Sequence, residues 1–118
     1  QWNLAEDKGT WMIKEKSVEQ IGCIHTCQGL ELDYIGVVIG PDLRIEDGEL
    51  ITDPKERAKT DHSIKGWKKQ MKTDPEGTLK KLDEIIRNTY RTLMTRGMKG
   101  CYVHAVDKKL NEYLRSKL

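Results

Sequence analysis

Apolar and polar positions fall into short blocks that change period along the chain, and the changes mark out elements. Residues 1–17 mix polar side chains with Trp2 and Trp11 and show no helical period. They read as a loose arm docked by its tryptophans, or as the stump of an upstream domain. From Val18 the pattern sharpens. Ile21, Cys23 and Ile24 form an apolar run ending at His25, and residues 34–39 form a second one rich in β-branched side chains. Short, nearly continuous apolar runs suit buried strands, parallel ones in particular. The connection 26–33 is too short for a crossover helix and reads as a tight loop or a single helical turn. Residues 43–51 alternate around Asp47-Gly48, a hairpin signal, because a type I′ turn needs positive φ at both central positions.

Helical signals dominate the rest. Asp53-Pro54 looks like an N-cap followed by proline at the first helical position, with a short helix to about Lys59. Residues 63–72 predict another. Asp74-Pro75-Glu76 repeats the start signal before a long helix ending near Thr95 or Arg96. Its stripe is Leu79, Leu82, Ile86 and Leu93, flanked by Ile85 and Met94. Gly97 and Gly100 are expected to stop it as left-handed caps. Residues 101–106 read as a strand, and Asp107 caps a last helix over 108–118 with Leu110, Tyr113, Leu114 and Leu118 on one face. Strands interleaved with helices imply an α/β layer fold with a mainly parallel sheet, carrying a small β-hairpin insertion.

Composition narrows the class. The 118 residues make one domain, too short for a complete two-domain motor enzyme. Hydrophobic residues at 36% and charged residues at 34% are compatible with a packed core. Lys plus Arg number 21 against 19 Asp plus Glu, so a net charge of +2 gives no general attraction to polyanions. Any nucleic-acid contact has to come from a local patch. No apolar run is long enough to cross a membrane, and no signal peptide is recognisable. Three cysteines cannot all pair within one chain, so a reduced, cytoplasmic setting is expected. Cys23, His25 and Cys27 alternate, but their spacing fits no common zinc motif and no metal site is expected. Lys65, Lys68, Lys69 and Lys72 surround Trp67 and Met71. They read either as a nucleic-acid patch or, the favoured reading, as a solvated helix face with Trp67 toward the core.

Two segments carry chemistry. The first runs Ile24-His25-Thr26-Cys27-Gln28-Gly29-Leu30-Glu31-Leu32-Asp33-Tyr34 into a strand. His25 and Thr26 would stand at a strand's carboxyl end, where open α/β sheets bind ligands, and could donate to phosphate oxygens. Gly29 lets the backbone approach a ligand closely. Glu31 offers a carboxylate to a ribose hydroxyl. The second segment is residues 87–100, in which Arg96 ends a long helix just before two glycines and a strand. Arginine suits the clamping of phosphoryl oxygens.

Together these segments resemble motifs V and VI of superfamily 1 helicase-like P-loop ATPases, in their C-terminal (second) RecA-like domain. His25-Thr26-Cys27-Gln28-Gly29-Leu30-Glu31 looks like motif V, and Leu93-Met94-Thr95-Arg96-Gly97 looks like motif VI. The chain is most similar to a bacterial group of uncharacterised helicase-like proteins. It departs from the common pattern at Gly97, where most of the superfamily has alanine, and at Arg91, where a tyrosine is usual. The resemblance implies a RecA-like (P-loop NTPase type) fold over 18–118, as a fragment of a larger protein. It implies an arginine finger at Arg96, nucleotide contacts at Gln28, Gly29 and Glu31, and nucleic-acid backbone contacts at His25 and Thr26. It also implies ATP and Mg²⁺, held mainly by an upstream first RecA-like domain, because no G-x-x-x-x-G-K-[ST] loop occurs in the 118 residues. Such a half-enzyme is expected to be monomeric and inactive alone, with DNA or RNA as its partner. The competing expectation is a non-catalytic nucleic-acid- or protein-binding module that keeps the RecA-like fold only.

Overall fold

The computed structural model describes residues 11–118. Trp2 lies outside the described residues. Trp11 lies within them and packs its ring against Gly22 and Cys27; a Cβ at Gly22 would sit 2.5 Å from the ring.

The predicted strand ending at His25 does not form. After a 3₁₀ turn at Ser17–Glu19, the chain makes one short helix, α1 (Ile24–Cys27). Local hydrogen bonding decides this. The Thr26 hydroxyl accepts from the Cys23 N–H (3.0 Å), within the reciprocal N-cap pattern that starts helices. Cys27 is buried beneath, and burial raises its thiol pKa against the opposing hydrogen bond with Thr26.

The second apolar run forms β1 (Leu32–Ile39) as expected. The hairpin forms as β2 (Leu43–Glu46) and β3 (Glu49–Thr52), with Asp47 and Gly48 at φ of +50° and +80°. The expected helix after Asp53 shrinks to a 3₁₀ turn at Pro54–Glu56. The expected helix over 63–72 splits into a 3₁₀ turn (His62–Ile64) and α2 (Trp67–Thr73), because Gly66 between them takes φ of +81°. Asp74 caps α3 (Pro75–Met94), and Asp107 caps α4 (Lys108–Ser116), both through their side chains.

The expectation of a mainly parallel sheet holds only in part. β1 pairs in parallel with β4 (Gly97–Ala105), and β2–β3 is a separate antiparallel ribbon. No third parallel strand exists among the described residues, since the segment before α1 supplies none. Ile39 and Ile86 are fully buried in a core shared with Val37, Leu43, Tyr90, Ala105 and Leu110. The buried stripe of α3 runs Thr78, Leu82, Ile86, Tyr90; Ile86 and Tyr90 enter this core, and Thr78 and Leu82 lie toward Ile64 and Trp67. Leu79, expected in that stripe, is about half exposed. The residues facing the core recur every four positions, so the stripe passes through Thr78 instead. The hairpin is tied to α3 by the Thr52 hydroxyl donating to Asp83 (2.8 Å) and by Arg87 donating to the Leu50 carbonyl (2.9 Å). Asp107 accepts from both Leu110 and Ile45 N–H groups (3.0 Å each), which joins α4 to the hairpin and lowers its carboxyl pKa.

One face of the β1–β4 pair lies on this core. The other carries Tyr34, Val38 and Tyr102, exposed by 58%, 61% and 73%. No helix among the described residues is long and apolar enough to cross a membrane.

Candidate functional site

The parallel pairing of β1 and β4 brings the two sequence segments together at the start of both strands. Leu32 opposes Gly97, and the Leu32 N–H donates to the Arg96 carbonyl (2.9 Å). Between Leu32 and Tyr34 the register slips, so that Tyr34 opposes Gly100. Gly97 and Gly100 therefore serve packing rather than a left-handed cap. A Cβ at Gly97 would lie 2.2 Å from the Gly100 carbonyl oxygen, and one at Gly100 would press on the Tyr34 ring at 3.1 Å. Neither glycine has positive φ.

Arg96 is half-buried at this junction. Its Nε donates to the Thr92 carbonyl (3.1 Å), one Nη to the Leu30 carbonyl (3.4 Å), and the other to the Thr95 hydroxyl (3.3 Å). Cationic side chains near a helix C-terminus are favoured by the helix dipole and its free carbonyls. All three partners are neutral, and among the described residues no carboxylate pairs with Arg96. The guanidinium is held by neutral acceptors at the end of α3 and has no carboxylate partner among the described residues.

Glu31 lies between Leu30 and Leu32, the two residues that touch Arg96, and is exposed. Gln28 and Gly29 are exposed beside it, and Gly29 has φ of +84°, a conformation that favours glycine. Arg96 therefore lies against the backbone on either side of Glu31, and Gln28 and Gly29 come just before it in the same loop. His25 and Thr26 do not stand at a strand end. They lie on α1, before β1, and turn elsewhere. Thr26 caps its own helix, while His25 Nε2 lies 3.6 Å from Asp61 Oδ1.

That contact leads to a cluster the sequence reading missed, close to the carboxyl end of β1. The Tyr90 hydroxyl donates to Asp42 (2.5 Å) and accepts from the Gly40 N–H (3.0 Å). Arg57, its side chain only 7% exposed, bridges Asp42 (3.1 Å) and Asp61 (2.5 Å). Burial opposes the ionisation of Asp61. The Ser63 hydroxyl and amide and the Arg57 guanidinium outweigh it and hold the carboxyl at about 2. Burial and the neighbouring Asp42 push the Tyr90 phenol well above its ordinary range. Burial disfavours the charged form of Arg57, but its two carboxylates raise its pKa further. The only sequence signals were the Arg57–Asp61 spacing of four and a tyrosine four residues after Ile86. Neither reveals that Asp42 completes the group from across the fold. Among the described residues, no cluster of three or more His, Cys, Asp or Glu side chains could hold a metal ion.

A family profile described as Schlafen group 3, DNA/RNA helicase domain, matches residues 1–107. A Saccharomyces cerevisiae protein, described as uncharacterized protein YPL245W, is 28% identical over 104 residues. The match covers 88% of this chain but only 22% of the yeast protein's length. No solved structure matches the chain.

Proposed function

The chain belongs to the Schlafen group 3 DNA/RNA helicase domain family, and on that premise we propose that it is the C-terminal half of an ATP-dependent helicase or translocase. In this reading it is a second RecA-like domain of the superfamily 1 kind, and it closes on a phosphate-loop domain elsewhere in the same polypeptide. The observation that carries the reading is Arg96, held by neutral acceptors at the junction of the two motif segments and without a carboxylate partner among the described residues. An arginine so placed is preorganised for an anion. Its charge is not spent within the fold, and its position does not depend on the ligand. A half-buried charge with no carboxylate partner among the described residues leaves room for an anionic occupant.

The residues present fit the arginine side of an ATP site and not the phosphate-loop side. Arg96 would meet phosphoryl oxygens, exposed Glu31 would accept from ribose hydroxyls, and Gln28 and Gly29 would line the approach. ATP would supply the transferable phosphoryl group and Mg²⁺ would neutralise its charge, both held mainly by the partner domain. His25 and Thr26 would contact the nucleic-acid backbone from α1. The bare face of the β1–β4 pair supports the same reading. Parallel strands are ordinarily covered on both faces, and Tyr34, Val38 and Tyr102 are left uncovered here.

The test is nucleic-acid-stimulated ATP hydrolysis by the intact protein. Arg96→Ala should lower turnover by about a thousandfold, the scale of an arginine finger, while binding of a fluorescent ATP analogue persists. Unchanged turnover would overturn the arginine-finger role. Retained nucleic-acid binding together with unchanged turnover would instead favour a non-catalytic nucleic-acid-binding module.

A further inference from the structure

The chain carries almost balanced charge, 21 basic against 19 acidic residues, yet residues 62–73 contain four lysines and no Asp or Glu. Helix α2 sorts this segment by face. Trp67 and Met71 are half-buried, and Trp67 lines a small cleft against α3 with Ile64, Leu82 and Ile85. Lys68, Lys69 and Lys72 are exposed. With about 3.6 residues per turn they share a single arc of about 100°, opposite the Trp67–Met71 side. None of the three pairs with a carboxylate among the described residues; Lys68 instead sits 5.9 Å from the Trp67 ring centroid.

This arrangement works against the helix that carries it. Lys68 and Lys72 are like charges four apart, which is unfavourable on a helix. No acidic residue occupies the first turn to offset the helix dipole. The fold's own gain from the arc is confined to the Lys68 contact with the Trp67 ring and to Lys72 in the last turn of α2, and all three ammonium groups stay exposed to a ligand.

The arc also has a direction. Asp61 caps the turn His62–Ile64 that leads into α2, and His25 of α1 lies 3.6 Å from that same Asp61. His25, His62 and Lys65 are exposed along the route from α1 to the lysine arc. One surface therefore runs from the segment resembling motif V to α2.

We propose that the exposed lysine arc of α2 docks the phosphate backbone of a single-stranded nucleic acid, as an extension of the His25 contact. This rests on the nucleic-acid part of the functional reading above and adds a surface that the motif segments do not include. Contacts of this kind are independent of sequence and strongly dependent on salt.

The test compares three forms of the intact protein: wild type, Lys68→Gln/Lys69→Gln/Lys72→Gln, and a control, Lys108→Gln/Lys109→Gln/Lys117→Gln, with the same change in net charge on α4. Fluorescence anisotropy with labelled oligothymidine and labelled oligouridine reads affinity as a function of KCl, without nucleotide. Loss of three phosphate contacts on a single strand should reduce the slope of log affinity against log salt by about 2. The α2 variant should bind roughly tenfold or more weakly at low salt, and the control should match wild type. Wild-type binding with an unchanged α2 variant would overturn the proposal and leave the functional reading standing. Equal losses in both triple variants would also overturn it, because net charge alone would then account for the effect. A wild-type protein that binds neither oligonucleotide would sink the nucleic-acid reading itself.

Discussion

Two arginines in this chain have opposite surroundings. Arg57 is buried between Asp42 and Asp61, and every strong contact it makes is with an anion of the same fold. Arg96 is half-buried and held by longer hydrogen bonds, 3.1 to 3.4 Å, to two carbonyls and a hydroxyl, with no carboxylate partner among the described residues. The first is a closed group and holds the structure together. The second has no such pairing among the described residues, which is why it is the proposed ligand contact. Perturbed ionisation marks the closed cluster, where Asp61 and Tyr90 are both shifted, yet in this molecule the shifts report structural pairing. The better guide to a site here is a fixed charge without a counter-charge.

The largest expected effect breaks the closed side. Arg57→Ala leaves two carboxylates facing each other without a cation, and it should cost about 3–5 kcal/mol of folding stability. Urea denaturation measures this directly, and a loss below about 1 kcal/mol would mean that Arg57 is not the keystone described.

Tyr90→Phe comes next. It removes the acceptor of the Gly40 N–H and one donor to Asp42, while Arg57 still pairs with Asp42. A loss of about 1–3 kcal/mol is expected, measurable in the same denaturation series.

Asp61 offers a sharper, pH-resolved version. Its folded carboxyl titrates at about 2, below the ordinary 3.8. A depressed folded pKa contributes stability that is complete above the unfolded value and disappears as pH falls through the folded one. The stability difference between wild type and Asp61→Asn should therefore be constant above about pH 5 and shrink toward pH 2. A difference independent of pH across that window would remove the ion-pair account.

The smallest effect on stability is expected where the effect on turnover is largest. Arg96→Ala loses hydrogen bonds to the end of α3 and to Leu30 but no ion pair, so stability should change by only about 1 kcal/mol. Thermal unfolding checks this. A loss as large as that of Arg57→Ala would erase the contrast between the two arginines.

Much of the local structure was legible in the sequence. Asp74-Pro75 and Asp107 start helices where expected, because a side-chain cap acts within three residues and needs no distant partner. Asp47-Gly48 makes its turn for the same reason. The failures share a cause. The run ending at His25 has strand-like composition, yet only Ile21 takes a bridge position, and the Cys23–Thr26 cap turns the chain into a helix directly after it. Gly97 and Gly100 sit where helix caps are common, but their lack of a Cβ is needed for the close register of β4 against β1. Of the candidate site, the structure brings Arg96 against Leu30 and Leu32, the neighbours of Glu31, while His25 lies beside Asp61.

The sequence by itself determined the element starts, the hairpin, the long amphipathic helix and the residue types of the proposed anion-binding junction. These depend on hydrogen bonds and periodicities that span a few residues. Tertiary structure alone decided that Asp42, Arg57, Asp61 and Tyr90 form one buried group, and that no carboxylate among the described residues pairs with Arg96. The closed group joins residues up to 48 positions apart, such as Tyr90 and Asp42. Whether a charge ends paired or open depends on what the folded chain places around it, and no local spacing encodes that.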